Sequence, residues 1–432
     1  MDLLDRRSRI YSSRPISVMN DLMSWSFSLG FMEYGPGWRA RRKYFHEYFH
    51  QGAVHRYVPI QAQEMRSFLR RVLLSGQSEE TDKQVRLAFV AMIVSIVYGI
   101  KVKDLDADYV VIAREAMEGV GVAGTPGKFW VEFFPFLRFI PSWFPGAGFK
   151  RFAEYYSPFV QEMVRRPFQI VKSSLSQEDP PLCATRDLIQ HIQKKYGESA
   201  GYPEQEEFVM DAMGAAYAAA ADTTHSVAMC FLLAMTKYPE VQKKAQVELD
   251  RHVGQHRLPN LEDRASLTYI QAIALECMRW QPTVPLSLPH MTTTDDEYNG
   301  YRIPKGTAIL SNVWAMLTDP EAYPHPEVFN PDRFIKNGAL DPEVQDPLSI
   351  AFGFGRRVCP GRHLSNNALF LFVASVLHVF NIEPSTDGSG NPVPIEVKMT
   401  TGLISRPESV PCVLKPRSAA AEALILEPHE KT

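Results

Sequence analysis

One ten-residue segment constrains this chain more than any other, FGFGRRVCPG at positions 352–361. Its three glycines surround a single cysteine, Cys359, directly before a helix that the sequence predicts over residues 362–382. A thiolate in this position meets free backbone N–H groups and the positive end of the helix dipole, and such groups tune a metal–thiolate bond. A flat cofactor has room against Gly361, and Arg357 supplies positive charge for an anionic edge. The alternative is a glycine-rich turn around an ordinary core cysteine.

This segment resembles the haem-binding signature of the cytochrome P450 family, and it matches that signature at Phe352, Gly353, Gly355, Arg357, Cys359 and Gly361. The resemblance implies haem b as the cofactor, with Cys359 as an iron ligand whose thiolate favours O–O cleavage. It implies cofactor contacts from Phe352, Gly353 and Gly361. It also implies a mainly α fold (α+β) with small β-sheets, in which the haem lies between a long central helix and the cysteine loop. The whole chain, residues 1–432, resembles a single domain of this family, most closely its fungal secondary-metabolism members.

A long helix predicted over residues 204–237 carries an acid and a hydroxyl, Asp222 and Thr223, after a run of alanines. A buried Asp needs a partner or a function, whereas the alternative is a surface turn or a Thr hydroxyl bonded to the preceding turn. The stretch resembles the family's oxygen-activation motif. The resemblance implies that Thr223 holds a water network that protonates dioxygen and that Asp222 relays protons from the surface. Ala220 stands where the family usually has glycine.

Cationic and N–H donors are expected at the rim of a haem site because haem carries two propionates. Trp38 and Arg42 match the family's Trp-x-x-x-Arg pattern. The resemblance implies that both bind the propionates, together with Arg357 and His290. For His290 alone, a satisfied structural histidine is the alternative.

Electrons are expected from a separate protein, because no glycine-rich nucleotide loop follows a predicted strand in this chain. The resemblance implies an NADPH–cytochrome P450 reductase. Arg39, Arg41 and Lys43 lie beside the Trp-x-x-x-Arg motif. They form either a basic patch that meets an acidic reductase or a solvated run of charge.

Glu276 and Arg279 lie one turn apart on a helix predicted over residues 267–280. Taken alone, the pair fits a surface ion pair that contributes little stability. Arg333 lies in the segment NPDRF, which resembles the family segment whose arginine completes a buried triad with that pair. The resemblance implies that the three residues hold the scaffold of the cysteine loop rather than perform chemistry.

Charge and cysteine usage exclude several other classes of protein. A net charge of −3 and a pI near 6.5 give no reason to expect nucleic-acid binding. The five cysteines include no Cys-x-x-Cys pair, so they match neither a disulfide framework nor a zinc site and fit a reducing compartment. A monomer is expected.

The predicted relation to membranes rests on one aromatic segment. No stretch reaches the roughly 18 uninterrupted apolar residues of a membrane span, and the N-terminus lacks the apolar region of a signal peptide. Residues 129–149 contain nine Phe or Trp side chains with basic flanks. This is either core punctuated by turns or a segment similar to the family's substrate-entrance loop, which dips into the membrane interface. The resemblance implies the cytoplasmic face of the endoplasmic reticulum for full-length members, and a peripheral or cytoplasmic location for a chain without the anchor.

Residues 3–15 resemble the family's second helix. The chain is therefore expected to be an N-terminally shortened form that lacks the family's membrane anchor, first helix and first two strands. Substrate contacts are expected from residues 13–34, 216–224, 284–288 and 403–404, whose mostly apolar side chains indicate a hydrophobic substrate.

Three functions are open at this point. The first is a monooxygenase that takes electrons from NADPH through a separate reductase and inserts one atom of dioxygen into an apolar substrate. The second is a shortened product that folds poorly or binds haem without turnover, and the third is a reductase-independent haem-thiolate rearrangement. Asp222 and Thr223 favour the first over the third, because only oxygen activation requires proton delivery.

Overall fold

The computed structural model describes residues 1–75, 81–104, 107–125, 127–177 and 182–427. Most of these residues are helical, which confirms the predicted mainly α fold. The α-helices of the described chain are α1 Val18–Leu22, α2 Pro36–Phe49, α3 Val58–Ser75, α4 Thr81–Tyr98, α5 Asp108–Ala123, α6 Gly148–Ser174, α7 Ala184–Tyr196, α8 Tyr202–Lys237, α9 Pro239–His252, α10 Thr268–Trp280, α11 Val313–Leu317, α12 Leu348–Ala351, α13 Arg362–Val379 and α14 Ala419–Leu426.

Helix α8 confirms the predicted long helix and begins two residues earlier, at Tyr202. Its side chains are buried on nearly all faces from Val209 to Thr236. Its alanine, methionine and leucine residues are therefore distributed around the whole helix and do not form a single apolar stripe. By length and composition α8 is the one described helix that could cross a membrane, but 83% of its most apolar window is buried inside the structure. It is the core helix against which α2, α4, α6, α7 and α13 pack.

The described strands are short, and each pairs with one antiparallel partner. They are β1 His290–Met291, β2 Asp296–Tyr298, β3 Tyr301–Ile303, β4 Ala308–Ile309, β5 Ile335–Lys336, β6 Ala339–Leu340, β7 Phe380–Pro384 and β8 Cys412–Pro416. The pairs are β1–β4, β2–β3, β5–β6 and β7–β8. The pair β2–β3 lies between the two strands of the pair β1–β4 along the chain. Asn299 and Gly300, both at positive φ, make the tight turn between β2 and β3.

Two predicted helices are shorter in the structure. The helix predicted over residues 362–382 ends at Val379, because the chain then continues as β7 and buries Phe380 and Ile382 while pairing with β8. The helix-like segment at residues 3–15 is reduced to a single turn of π-helix, Asp2–Arg6. After that turn the chain runs to an isolated bridge with β1.

The N-terminal turn helps to position the cysteine loop. The Asp5 carboxylate accepts a hydrogen bond from the backbone N–H of Gly355 at 2.6 Å. Gly355 has a φ of +54°, and a Cβ there would overlap the carbonyl oxygen of Leu4. Only glycine fits this contact, so the loop is locked against the first turn of the chain.

Candidate active site

A cavity of ≈ 340 Å³ lies between α8 and the cysteine loop. Its volume is within the range of small-molecule sites. All the residues predicted to contact a cofactor are found in its wall, namely Trp38, Arg42, His290, Phe352, Gly353, Arg357, Cys359 and Gly361. The cavity therefore collects side chains that lie more than 300 positions apart in the sequence.

Cys359 lies two residues before the N-cap of α13. Its backbone N–H donates to the carbonyl oxygen of Phe352 at 2.8 Å, which closes the loop. Burial raises the pKa of the Cys359 thiol, and the backbone N–H groups of Gly361 and Arg362 with the charges of Arg42 and Arg362 act in the opposite direction. The donors predicted to face a thiolate are thus in place.

The glycines of the loop have different roles. Gly353 has a positive φ of +74°, so glycine suits its backbone conformation. Gly361 has an ordinary φ of −88°, and open space surrounds the position where a side chain would lie. The reason for glycine at 361 is therefore the space in the cavity and not the backbone conformation.

Three arginine side chains on the cavity wall, two of them buried and Arg42 half-buried, have no counter-charge among the described residues. Arg14, Arg42 and Arg357 pair with no carboxylate among the described residues, and each donates only to backbone carbonyl oxygens. Burial lowers the pKa of Arg14 to about 9 and the pKa values of Arg42 and Arg357 to about 10. Buried charges are normally paired, so this arrangement fits a bound group that carries negative charge.

Arg14 is the cation that sequence reasoning missed. Its Nε donates to Gly30 at 2.9 Å and its Nη1 donates to Leu288 and Pro289, each at 2.7 Å. This side chain joins the N-terminal segment to the strand that carries His290. A lone Arg-Pro pair carries no sequence motif, and the only available signal was its place inside the predicted substrate stretch 13–34.

Trp38 and His290 both line the cavity but also have protein partners. The indole N–H of Trp38 donates to the carbonyl oxygen of Leu29 at 3.1 Å, and the guanidinium of Arg357 stacks over its ring at 4.5 Å. His290 Nδ1 lies 2.6 Å from the carbonyl oxygen of Tyr11. Burial, with the nearby positive charges, lowers the pKa of His290 to about 4. Trp38 and His290 each make a hydrogen bond within the protein and also line the cavity.

Asp222 and Thr223 occupy different places on α8. Thr223 lines the cavity, and its hydroxyl donates to the carbonyl oxygen of Ala219 at 2.7 Å, as the alternative interpretation predicted. Asp222 is buried outside the cavity wall and accepts from Arg86 at 2.7 Å. The hydroxyl thus faces the cavity, whereas the carboxylate belongs to a charged cluster behind it.

The predicted triad is confirmed. Glu276 accepts both Nε and Nη2 of Arg279, at 2.7 and 2.8 Å, and Nε of Arg333 at 3.2 Å. The Glu276 and Arg279 side chains are fully buried, so the interpretation as a surface ion pair is wrong. Arg279 also donates to the carbonyl oxygen of Leu317, which extends the contact beyond α10. The triad joins α10 to the segment that precedes the cysteine loop.

The basic run near Trp38 divides in the structure. Arg39 and Lys43 are exposed, but Arg41 is buried and pairs with Asp211 of α8 at 2.7 Å. For Arg41 both predicted alternatives, docking patch and solvated charge, are wrong. The helical turn that points Trp38 inward also points Arg41 inward, three residues later.

Apolar side chains line the rest of the cavity. All four stretches predicted to contact substrate contribute, and no carboxylate from the described residues lines the wall. Sequence reasoning missed Ile93 and Ile96 of α4 and Met117 and Val120 of α5. Helix α4 is apolar over most of its faces, so its sequence pattern does not mark the face that lines a site.

The aromatic segment at residues 129–149 is mostly exposed. Seven of its nine rings are solvent-exposed, with Trp130, Phe139 and Trp143 at 71%, 80% and 78%. Val131 is buried and the Glu132 carboxylate accepts from the backbone N–H groups that begin α1, so the backbone is anchored while the rings face outward. The interpretation as ordinary core is wrong for these seven rings.

The residues present fit haem. A half-buried thiol, three guanidinium groups without carboxylate partners among the described residues and an apolar wall meet in one cavity, which suits an iron-bearing group with two propionates. All five cysteines are free, and Cys230 and Cys277 are core residues. Within the described chain no cluster of three or more His, Cys, Asp or Glu side chains could hold a separate metal ion.

Comparison with known proteins gives one family across the chain. The model of the family described as Cytochrome P450 matches residues 3–410. Cytochrome P450 monooxygenase COX2 of Coprinopsis cinerea is 40% identical over 99% of this chain and 81% of its own length. Tryptamine 4-monooxygenase of Psilocybe cyanescens is 37% identical over 96% of this chain and 82% of its own length. Cytochrome P450 monooxygenase claR of Ampulloclitocybe clavipes is 36% identical, with 98% and 78% covered.

Proposed function

The chain belongs to the cytochrome P450 family and is a haem-binding monooxygenase, and on that premise we propose its substrate class, electron source and site residues. In this proposal it inserts one atom of dioxygen into a neutral hydrophobic small molecule, with electrons from NADPH through a separate reductase. The observation that carries the proposal is Cys359 on a cavity wall that contains three arginines and is otherwise mostly apolar.

Haem b is the proposed cofactor, since the chain has no Cys-x-x-Cys-His pattern for covalent attachment. Cys359 is the proposed iron ligand. Arg14, Arg42 and Arg357 are the proposed partners of the propionates, with His290 and Trp38 beside them. When bound, the haem supplies the oxidising chemistry, and a thiolate ligand favours cleavage of the O–O bond.

The proposed work of the chain itself is to deliver protons. The Thr223 hydroxyl lies on the cavity wall, where it can bind and orient a water molecule. Asp222 lies one residue earlier, in contact with Arg86, so it is suited to pass protons from the surface side of α8. The mostly apolar cavity wall around Thr223 excludes bulk water from the reacting centre.

Neutral apolar compounds are the proposed substrates. The only charged or titratable groups on the described cavity wall are three arginines, one histidine and Cys359. A primary amine would find no carboxylate partner there, and burying an unpaired ammonium costs several kcal/mol or more. This argues against an amine substrate of the kind named for the relative from Psilocybe cyanescens.

A peripheral membrane contact is proposed for the exposed aromatic segment 129–149. Aromatic rings with basic neighbours bind the interface between lipid headgroups and acyl chains. In this chain the segment lies between α5 and α6, and α5 contributes Met117 and Val120 to the cavity. A hydrophobic substrate dissolved in the membrane would therefore reach the cavity from this side. The exposed residues Arg39 and Lys43 are proposed to contact the reductase.

We predict that Thr223→Ala uncouples electron use from product formation. Loss of the hydroxyl removes the group that orients the protonating water, so NADPH consumption continues while peroxide replaces product. A substrate that shifts the Soret band would be drawn from neutral apolar compounds, and product per NADPH would be measured. Thr236→Ala is the matched control, because Thr236 makes the same bond to the preceding turn of α8 but does not line the cavity. Unchanged coupling in Thr223→Ala would refute the proton-delivery role.

A further inference from the structure

A charged cluster behind the cavity joins α8 to α4. His225 Nε2 lies 3.0 Å from Asp82 Oδ1, and His225 Nδ1 lies 3.4 Å from Arg86 Nη2. The Nη1 of the same arginine donates to Asp222 at 2.7 Å. His225 is fully buried, whereas the Asp82 side chain is 52% exposed. The cluster thus reaches from the surface to the carboxylate beside Thr223.

The hydrogen bonds assign the protonation state of His225. An arginine side chain can only donate, so Nδ1 of His225 must accept from Arg86. The other ring nitrogen, Nε2, then carries the proton and donates to the Asp82 carboxylate. His225 is therefore neutral in this arrangement, and its proton position follows from its two partners.

The cluster is not a chain along which a proton can move. Arg86 stands between His225 and Asp222, and an arginine is not deprotonated in proteins. The histidine therefore passes no proton to Asp222, and it acts on that carboxylate through the position of Arg86 and through its own charge. A proton added at Nδ1 would point at the N–H of Arg86, which breaks their hydrogen bond and places two positive charges side by side.

We propose that His225 is a positioning residue that holds Arg86 on Asp222 while it is neutral, and that releases Arg86 when it is protonated. The inference rests on the proposed role of Asp222 in proton delivery. Release loosens the Arg86–Asp222 pair, so Asp222 becomes free to pass protons towards Thr223. Arg406, whose Nη1 lies 3.8 Å from Asp222, remains as a second cation, so the carboxylate is not left uncompensated.

The charged groups around His225 determine where it titrates. Among the described residues these are Asp82 and Arg86 of α4, Asp222 of α8 and Arg406 of the C-terminal loop. Burial lowers the pKa of His225 below the ordinary 6.5, and Arg86 lowers it further, while Asp82 and Asp222 oppose this shift. The imidazole is therefore neutral at pH 7, and release begins only as the pH falls below 6.5.

His225 and Arg86 together form a latch on Asp222, which is held when His225 is neutral and released when it is protonated. Two variants at position 225 separate these two states. His225→Asn keeps an acceptor near Nδ1 for Arg86 but cannot gain a proton, so Asp222 stays held at every pH. His225→Gln keeps the donor to Asp82 but loses the acceptor for Arg86, so Asp222 is free at every pH. In the unaltered chain, product per NADPH should rise as the pH falls below 6.5. The rise should be lost in both variants, at the low level in His225→Asn and at the high level in His225→Gln.

Asp82→Asn is a third variant. Because the Asp82 side chain is half-exposed, we expect this replacement to leave the fold intact. Loss of the carboxylate removes the charge that favours protonated His225, so the rise in coupling should move to lower pH. His378→Asn is the matched control, since His378 is a buried histidine that bonds the carbonyl oxygen of Arg257 outside this cluster. It should keep the pH dependence of the unaltered chain. If His225→Asn keeps that dependence as well, the latch is wrong.

A spectroscopic readout tests the latch without turnover. Ring nitrogen-15 shifts of the histidines in the diamagnetic ferrous carbonyl form report the tautomer, and the His225 signal is the one missing from His225→Asn. At pH 7 it should show a protonated Nε2 and an unprotonated Nδ1. A protonated Nδ1, in either the neutral or the charged ring, would overturn the inference. A chain with this tautomer but no thiolate-type carbonyl spectrum would instead contradict the proposed function.

Discussion

The charged side chains of this site fall into two groups that differ in their partners. Glu276, Arg279 and Arg333 are buried together and satisfy one another. Arg14 and Arg357 are also buried and Arg42 is half-buried, but these three donate only to carbonyl oxygens in the described chain. The first group is complete within the protein and holds the scaffold. The second group has no anionic partner among the described residues. Charges paired within the protein indicate a structural cluster, whereas unpaired charges on a cavity wall indicate a binding site for an anion.

We predict that Arg333→Ala destabilises the fold by about 3–5 kcal/mol, because it leaves the buried Glu276 carboxylate with one partner fewer. The measurement is the urea midpoint followed by far-ultraviolet circular dichroism. Arg302→Ala is the matched control, since Arg302 forms an exposed pair with Asp295 and its loss should leave the midpoint unchanged. Equal midpoints for Arg333→Ala and Arg302→Ala would contradict a structural role for the triad.

The role of a site residue can be predicted from the sequence only when its neighbours in the chain form a recognisable pattern. Cys359 was predictable because glycines and a helix start surround it in a known pattern. Arg14 was not, because its three carbonyl partners come from segments 16 to 275 positions away. The burial of Arg41 was not predictable either, since its partner Asp211 lies on a helix 170 positions later. Long-range pairing leaves no periodic signal in the chain.

Helices and loops were also predictable only where neighbouring residues mark them. Helix α8 was predicted nearly to its ends, because acidic residues and prolines mark its termini. The strand β7 was missed because its apolar residues continue directly from α13, and a short apolar run does not distinguish helix from strand. The exposure of segment 129–149 was undecided, since aromatic composition is the same in a core and at a membrane surface. The structure resolves this through Glu132, which anchors the segment with its rings outward.

We predict that the aromatic segment binds lipid surfaces. Replacing Trp130, Phe139 and Trp143 together by serine should weaken binding to vesicles of phosphatidylcholine and phosphatidylserine by about tenfold or more, because three large apolar groups no longer enter the interface. Sedimentation with the vesicles measures the bound fraction. A triple replacement of Tyr301, Leu310 and Trp314, which are exposed elsewhere, is the matched control. Equal binding of both triple variants would refute a specific membrane contact.

The molecule as a whole is organised around one core. A single hydrophobic cluster joins buried residues from Val18 to Ile425, and a smaller cluster packs Leu4 and Tyr11 against α10 and the segments before the cysteine loop. This supports the prediction of one domain, which remains a prediction. The cavity lies where both clusters meet α8 and the cysteine loop, so the site depends on packing from nearly the full length of the chain. The family was predictable from one loop and an apolar substrate from four stretches, whereas the lack of a carboxylate on the described cavity wall required the fold.

The central claim is that this chain holds haem through the thiolate of Cys359. The reduced, carbon-monoxide difference spectrum of the chain as given tests it most directly. We predict the red-shifted Soret band of a thiolate ligand, its loss in Cys359→Ala, and its retention in Cys230→Ala, which removes a buried cysteine that does not line the cavity. A band at the blue-shifted position of a protonated or absent thiolate, or the same red-shifted band in Cys359→Ala, would contradict the account.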